Sequence, residues 1–208
     1  MQVLDFGLIA TVGLIHLVAL VSPGPDFVVA CRNSLLYSRT IGIYTALGFG
    51  LGICVHISYA VFGLSWLIAN NELIFIVIQY LGAFYLLLIG FQSLRIFQSQ
   101  IGQETATASS RISPFRAVRI GFITNVLNPN ATLFFLSLFS TMLNPTVGEL
   151  NLVVIAVLLV VTTILWFSLV ALLISHPRFT TTLKRYEKTI QQFFGVLLIG
   201  IGFIILIL

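Results

Sequence analysis

The sequence predicts an all-α integral membrane fold of six transmembrane helices, arranged as two inverted three-helix repeats in which helices 1 and 4 are broken. Three observations predict it. Of 208 residues, 59% are hydrophobic and only 8% charged, and the mean hydropathy is +1.11, whereas about a quarter of a soluble domain is charged. Six apolar stretches each approach or exceed the roughly 20 residues that cross a hydrocarbon core as a helix. Two proline-containing interruptions, Ser22-Pro23-Gly24-Pro25-Asp26 and Asn128-Pro129-Asn130-Ala131, stand 106 residues apart when Pro23 is laid on Pro129. Paired interruptions at corresponding places in two halves mark the binding site of many transporters.

The first stretch covers 4–22 and runs past its break to 36. It has Asp5 in place of a basic leader and no small-residue cleavage site before Pro23, so it is read as a retained span and not a signal peptide. The others lie at 41–69, 73–94, 117–143, 150–174 and 190–208. The whole chain, 1–208, is read as one membrane domain: repeat one about 1–97, a polar linker 98–113, repeat two about 114–208. A second echo supports the division, Gln79-Tyr80-Leu81-Gly82 with Ile89-Gly90-Phe91 against Gln192-Phe193-Phe194-Gly195 with Ile201-Gly202-Phe203. Three spans per half reverse the direction of the second copy, which makes the repeat an inverted one.

All ten basic residues fall between spans 1 and 2 (Arg32, Arg39), 3 and 4 (Arg95, Arg111, Arg116, Arg119) and 5 and 6 (Arg178, Lys184, Arg185, Lys188). Those loops share one face, which the excess of Lys and Arg marks as cytoplasmic, leaving both termini outside. The net charge of +4 therefore reports orientation; a nucleic-acid partner has no support because the bases flank membrane spans. Residues 180–188 are read as a short surface helix at the headgroups, and Trp66 as a marker of the outer interface. Cys31 and Cys54 form no CxxC, metal or disulfide pattern and are read as two buried thiols. No metal or cofactor is expected.

Ser22 lies ten residues before Arg32 and Asn128 nine after Arg119, which at the helical rise sets each break roughly 14 Å from the cytoplasmic boundary, close to the midplane. Ser22 and Asn128 are preferred N-caps, each followed by proline, favoured at the first helical position. A half-helix is expected to start at each, the two N-terminal ends facing one another and attracting an anionic group. The expected substrate site is Ser22, Pro23, Gly24, Pro25, Asp26, Asn125, Asn128, Pro129 and Asn130. Gly24 leaves room for a substrate against the backbone.

Asp26 is the one acid this topology sets well within the bilayer. Two roles fit it, binding a substrate ammonium or exchanging a coupling proton; the plain alternative is that it caps its helix. Asn125 owns the carbonyl that Pro129 frees, and Asn125, Asn128 and Asn130 either touch substrate or satisfy the broken backbone. His16 and His56 are candidates for a proton path, with a packed, satisfied ring as the alternative for both. Gly48, Gly50 and Gly52 are read as a seam for close helix packing.

Taken with Arg32-Asn33-Ser34-Leu35, Arg39 with Gly42, Ala46-Leu47-Gly48, Leu81-Gly82-Ala83-Phe84-Tyr85-Leu86 and Gly121-Phe122, the two breaks make the chain similar to the lysine exporter and homoserine/threonine resistance family (LysE/RhtB type) of bacterial amino-acid exporters. The resemblance covers essentially the whole chain. It implies export from the cytoplasm across the inner membrane in exchange for protons, with an amino-acid-like small molecule, protons and the bilayer as partners, no enzyme activity, and oligomeric state left open. One departure stands out: the family commonly has Asn-Pro-Lys-Ala at the second break, and here the lysine position is Asn130. A single intramembrane acid favours a neutral substrate, since a cationic side chain calls for a second. The rival readings are a six-span thiol or electron carrier or embedded enzyme, which lacks a paired-cysteine or metal motif here, and a solute channel.

Overall fold

The structure is a computed structural model, which describes residues 4–22, 24–70, 72–95, 112–142 and 147–207. Pro23 and most of the 98–113 linker lie outside the described residues, as does the Trp66 side chain. Among the described residues eight α-helices follow one another: α1 (Phe6–Val21), α2 (Pro25–Leu36), α3 (Arg39–Asn70), α4 (Glu72–Arg95), α5 (Pro114–Val126), α6 (Pro129–Met142), α7 (Glu149–Ile174) and α8 (Pro177–Ile207). Among the described residues α3 and α7 are each long and apolar enough to cross a membrane, and two more spans result if α1 with α2 and α5 with α6 are each counted as one. Both of those pairs bend by 59° at their break.

α7 shows why such a sequence folds in lipid. Its buried stripe repeats at Asn151, Ile155, Leu159, Thr163, Phe167 and Val170, while Val153, Val157, Val161, Leu165, Leu169 and Leu172 are exposed. Apolar side chains cover the outside, while Asn151 and Thr163 face inward. A helix hydrophobic all round must be enclosed by protein or lipid, and a row of exposed valine and leucine belongs against hydrocarbon.

Two apolar clusters lie on either side of the breaks. One gathers Val12, Ile53, Ile57, Phe134, Phe135, Leu138 and Leu159 from α1, α3, α6 and α7; the other gathers Phe27, Ala30, Ala46, Phe49, Phe167 and Ile174 from α2, α3 and α7. The glycine echo of the sequence becomes a reciprocal contact between α4 and α8. A Cβ on Gly90 would meet Ile199 and the Gly195 carbonyl, and one on Gly202 would meet Leu87 and the Ala83 carbonyl. A single shift of 112 residues converts either contact into the other.

Three expectations need correcting. Residues 180–188 form no separate surface helix but the first turns of the unbroken α8; nothing between them and the span breaks the ladder, because the chain has no proline after Pro177. Only Cys31 is buried; Cys54 is exposed on the outside of α3, where a thiol packs against lipid as well as against protein. The third concerns Ser22 and belongs to the site.

Candidate transport site between the two breaks

At the first break Ser22 closes α1 and does not open α2. Its backbone is extended (ψ 125°) and its N–H bonds back to the Ala19 carbonyl at 3.2 Å. The residue that caps α2 is Gly24, and Pro25 is the first helical residue. The cause is the doubled proline: a residue preceding proline is pushed out of the α region, so Pro23 keeps Ser22 extended and Pro25 does the same to Gly24. Gly24 gives no side-chain acceptor to α2. Pro25 has no N–H, and the first intrahelical bond runs from Val28 N to Gly24 O, which leaves the N–H groups of Asp26 and Phe27 without an intrahelical partner. A Cβ on Gly24 would meet only the Ser22 carbonyl oxygen, at 4.0 Å.

At the second break the expected cap is present. Asn128 Oδ1 accepts from Asn130 N at 3.0 Å, and Thr132 N reaches Asn128 O at 3.1 Å, starting α6 at Pro129. The carbonyl of Asn125, which Pro129 cannot serve, accepts twice: from Asn128 N at 3.0 Å and from His56 Nε2 at 2.9 Å. Asn130, where the family commonly has lysine, takes part here through its backbone.

Hydrogen bonding joins the two breaks. Asn125 Nδ2 donates to Asp26 Oδ2 at 2.8 Å across 99 residues of sequence, and the Asn128 amide stands beside the same carboxylate. Asn125 is 1% exposed. The second oxygen of the carboxylate, Asp26 Oδ1, and the amide oxygen Asn125 Oδ1 are both buried without a hydrogen-bond partner among the described residues. A buried carboxylate oxygen left unpaired costs far more than a paired one.

The structure thus brings Asp26, Asn125 and Asn128 together, with Gly24 and Pro25 at the same helix start. It separates the two histidines. His56 is fully buried on α3 and bonds at the second break. His16 lies on α1 more than a turn before the first break, its Nε2 3.2 Å from Leu159 O and 3.0 Å from Thr163 Oγ1 on α7, beside the rings of Phe134 and Phe135. His16 ties α1 to α7, its Nδ1 buried without a hydrogen-bond partner among the described residues, and His56 stands at the second break.

The glycine seam also divides. Gly48 lies against the α5 backbone, where a Cβ would strike the Val118 carbonyl, and Gly121 answers it against the Thr45 carbonyl. Gly50 faces α7 at Ile164, and Gly52 faces the Asn125 side chain, its Cβ position 2.9 Å from the Asn125 Cβ and Cγ. Sequence reasoning missed Gly52 as a site residue, along with Tyr59 and Thr132. The available signal was spacing: Gly52 and Tyr59 lie one turn either side of His56, on one face of α3.

Two apposed helix breaks that bring Asp26 and Asn125 together, in a bundle clad in exposed apolar side chains, are the pattern of a helical membrane transport protein. Residues 17–208 match the family described as LysE type translocator, and the chain belongs to that family. Among its relatives are the "Threonine efflux protein" of Escherichia coli (strain K12), 32% identical over 94% of this chain and 95% of that protein, and the "Leucine efflux protein" of Salmonella choleraesuis (strain SC-B67), 28% identical over 91% and 89%. The "Uncharacterized membrane protein YrhP" of Bacillus subtilis (strain 168) is 28% identical over 86% of this chain and 89% of its own. No solved structure matches.

Proposed function

We propose that this protein is a secondary transporter that exports a neutral amino acid or close derivative from the cytoplasm across the bacterial inner membrane in exchange for protons. Its helices make six spans in two inverted repeats with both termini outside, and the repeats rock about the site between the breaks. Family membership and the named efflux proteins among its relatives support amino-acid export. The observation that carries the site is the bond from Asn125 to Asp26, which leaves Asp26 Oδ1 buried and open to a donor.

An amino-acid zwitterion fits that chemistry. Its ammonium bonds to Asp26 Oδ1, and its carboxylate takes the N–H groups of Asp26 and Phe27 at the start of α2, where the helix dipole favours negative charge. The second end is partly filled by its own cap, so the carboxylate goes to the first. When no ammonium is bound, a proton neutralises Asp26, and the two occupants exclude each other as antiport demands.

The test uses everted membrane vesicles and labelled L-threonine and L-leucine. Saturable, protein-dependent accumulation that collapses when the pH gradient is dissipated is the expected result. Flux that stays linear with concentration and ignores the gradient would replace the transporter reading with a channel.

A further inference from the structure

The second break is held by two side chains that no transport step above uses. His56 and Tyr59 stand three residues apart on α3 and so share a face. His56 Nε2 is 2.9 Å from the carbonyl of Asn125, in the last turn of α5. A carbonyl only accepts, so Nε2 carries the hydrogen, and in the neutral ring Nδ1 is an acceptor. Tyr59 supplies its partner, the hydroxyl lying 2.6 Å from Nδ1. The same hydroxyl oxygen is 3.5 Å from the carbonyl of Thr132, in the first turn of α6. The single phenolic hydrogen goes to Nδ1, so the Thr132 carbonyl is a neighbour and not a second acceptor; α3 is bonded to the α5 side of the break and packed against the α6 side. The Phe135 ring of α6 stacks on the imidazole, centroids 5.6 Å apart and planes 3° from parallel.

Asn125 is fixed from two directions by this face. His56 holds its backbone carbonyl, and Gly52, one turn earlier, leaves the notch that its side chain fills. Between these restraints the amide bonds to Asp26 Oδ2 at 2.8 Å.

We infer that His56 and Tyr59 are a positioning pair, which holds the second break so that Asn125 presents its amide to Asp26 and thereby sets substrate affinity and proton coupling. The inference rests on the transport site proposed above. His56 acts as an N–H donor in a fixed tautomer, not as a member of a proton path, because its two neighbours, a backbone carbonyl and a tyrosine hydroxyl, do not connect it to the Asp26 carboxylate.

Three measurements test it. In the intact protein with 15N-labelled histidine, of which the chain has three, His56 is expected in the Nε2–H tautomer; the Nδ1–H tautomer overturns the pair. In transport, His56→Leu keeps the volume and removes the donor, and it is expected to raise the half-saturating L-threonine or L-leucine concentration about tenfold, the worth of one buried hydrogen bond, and to displace the pH profile. His56→Gln restores an N–H and is expected to return both toward the parent values. His56→Leu with the parent affinity and pH profile, or His56→Gln as impaired as His56→Leu while its thermal unfolding matches the parent, overturns the proposal. A silent Asp26→Asn would instead overturn the site itself, so the two failures are distinct.

Discussion

The two breaks share a bend and differ in nearly everything that holds it. At the second, α5 is joined to α3 backbone against backbone through Gly48 and Gly121, its freed carbonyl is bonded by His56, and α6 starts under an asparagine cap. At the first, α1 meets α7 with Gly13 under Leu158 and polar ties from His16 and, at its N-cap, from Asp5 N to Asn151 Oδ1, and α2 starts uncapped. The second break is a fixed wall and the first an open socket. The charge resides on the open one, and the asparagines that reach it come from the wall.

The largest effect separates the charge from its surroundings. Asp26→Asn keeps the shape and removes the negative oxygens, so transport in everted vesicles is expected to fall about a hundredfold and the remainder to lose its dependence on the pH gradient, the scale of losing charge-assisted hydrogen bonds in a buried site. Asn125→Ala is expected to follow the same direction with a smaller loss, about tenfold, because the carboxylate stays but its orienting donor goes. If Asn125→Ala were the worse of the two, the wall and not the socket would carry the substrate.

Packing gives the next contrast. Gly121→Ala forces a methyl into the Thr45 carbonyl, which is backbone and cannot turn aside, and is expected to destabilise the protein by about 1–3 kcal/mol in thermal unfolding in detergent. Gly13→Ala brings its methyl 3.1 Å from Leu158 Cδ2, the end of a flexible side chain, and the helix gains about 1 kcal/mol of propensity over glycine. No net loss is expected there. Equal losses at the two sites would mean that both arms are equally fixed.

Much of this was legible in the sequence because lipid leaves few choices. With backbone groups unable to find water, long apolar runs become helices, and prolines mark where the ladder fails; α3, α4 and α7 fall within two residues of their expected limits. The asparagine cap at Asn128 was legible for the same local reason. Ser22 was not, since serine, proline, glycine and proline in a row offer two places to start a helix, and the restriction before the second proline decides between them. His56 and His16 read alike in sequence, each a lone histidine in an apolar run. Only the packing of α3 on α5 and of α1 on α7 tells which one reaches a freed carbonyl.

The smallest expected effect tests that helix start. Asn128→Ala removes an acceptor from the first turn of α6 and is expected to cost about 1 kcal/mol, as N-cap losses do, whereas Ser22→Ala leaves the backbone bond to Ala19 intact and is expected to change thermal unfolding by less than about 0.5 kcal/mol. The symmetric picture, with Ser22 and Asn128 as twin caps, requires equal losses. A silent Ser22→Ala beside a costly Asn128→Ala leaves α2 with its N–H groups unclaimed by its own chain. That is the condition for a substrate carboxylate to bind at the first break and not at the second.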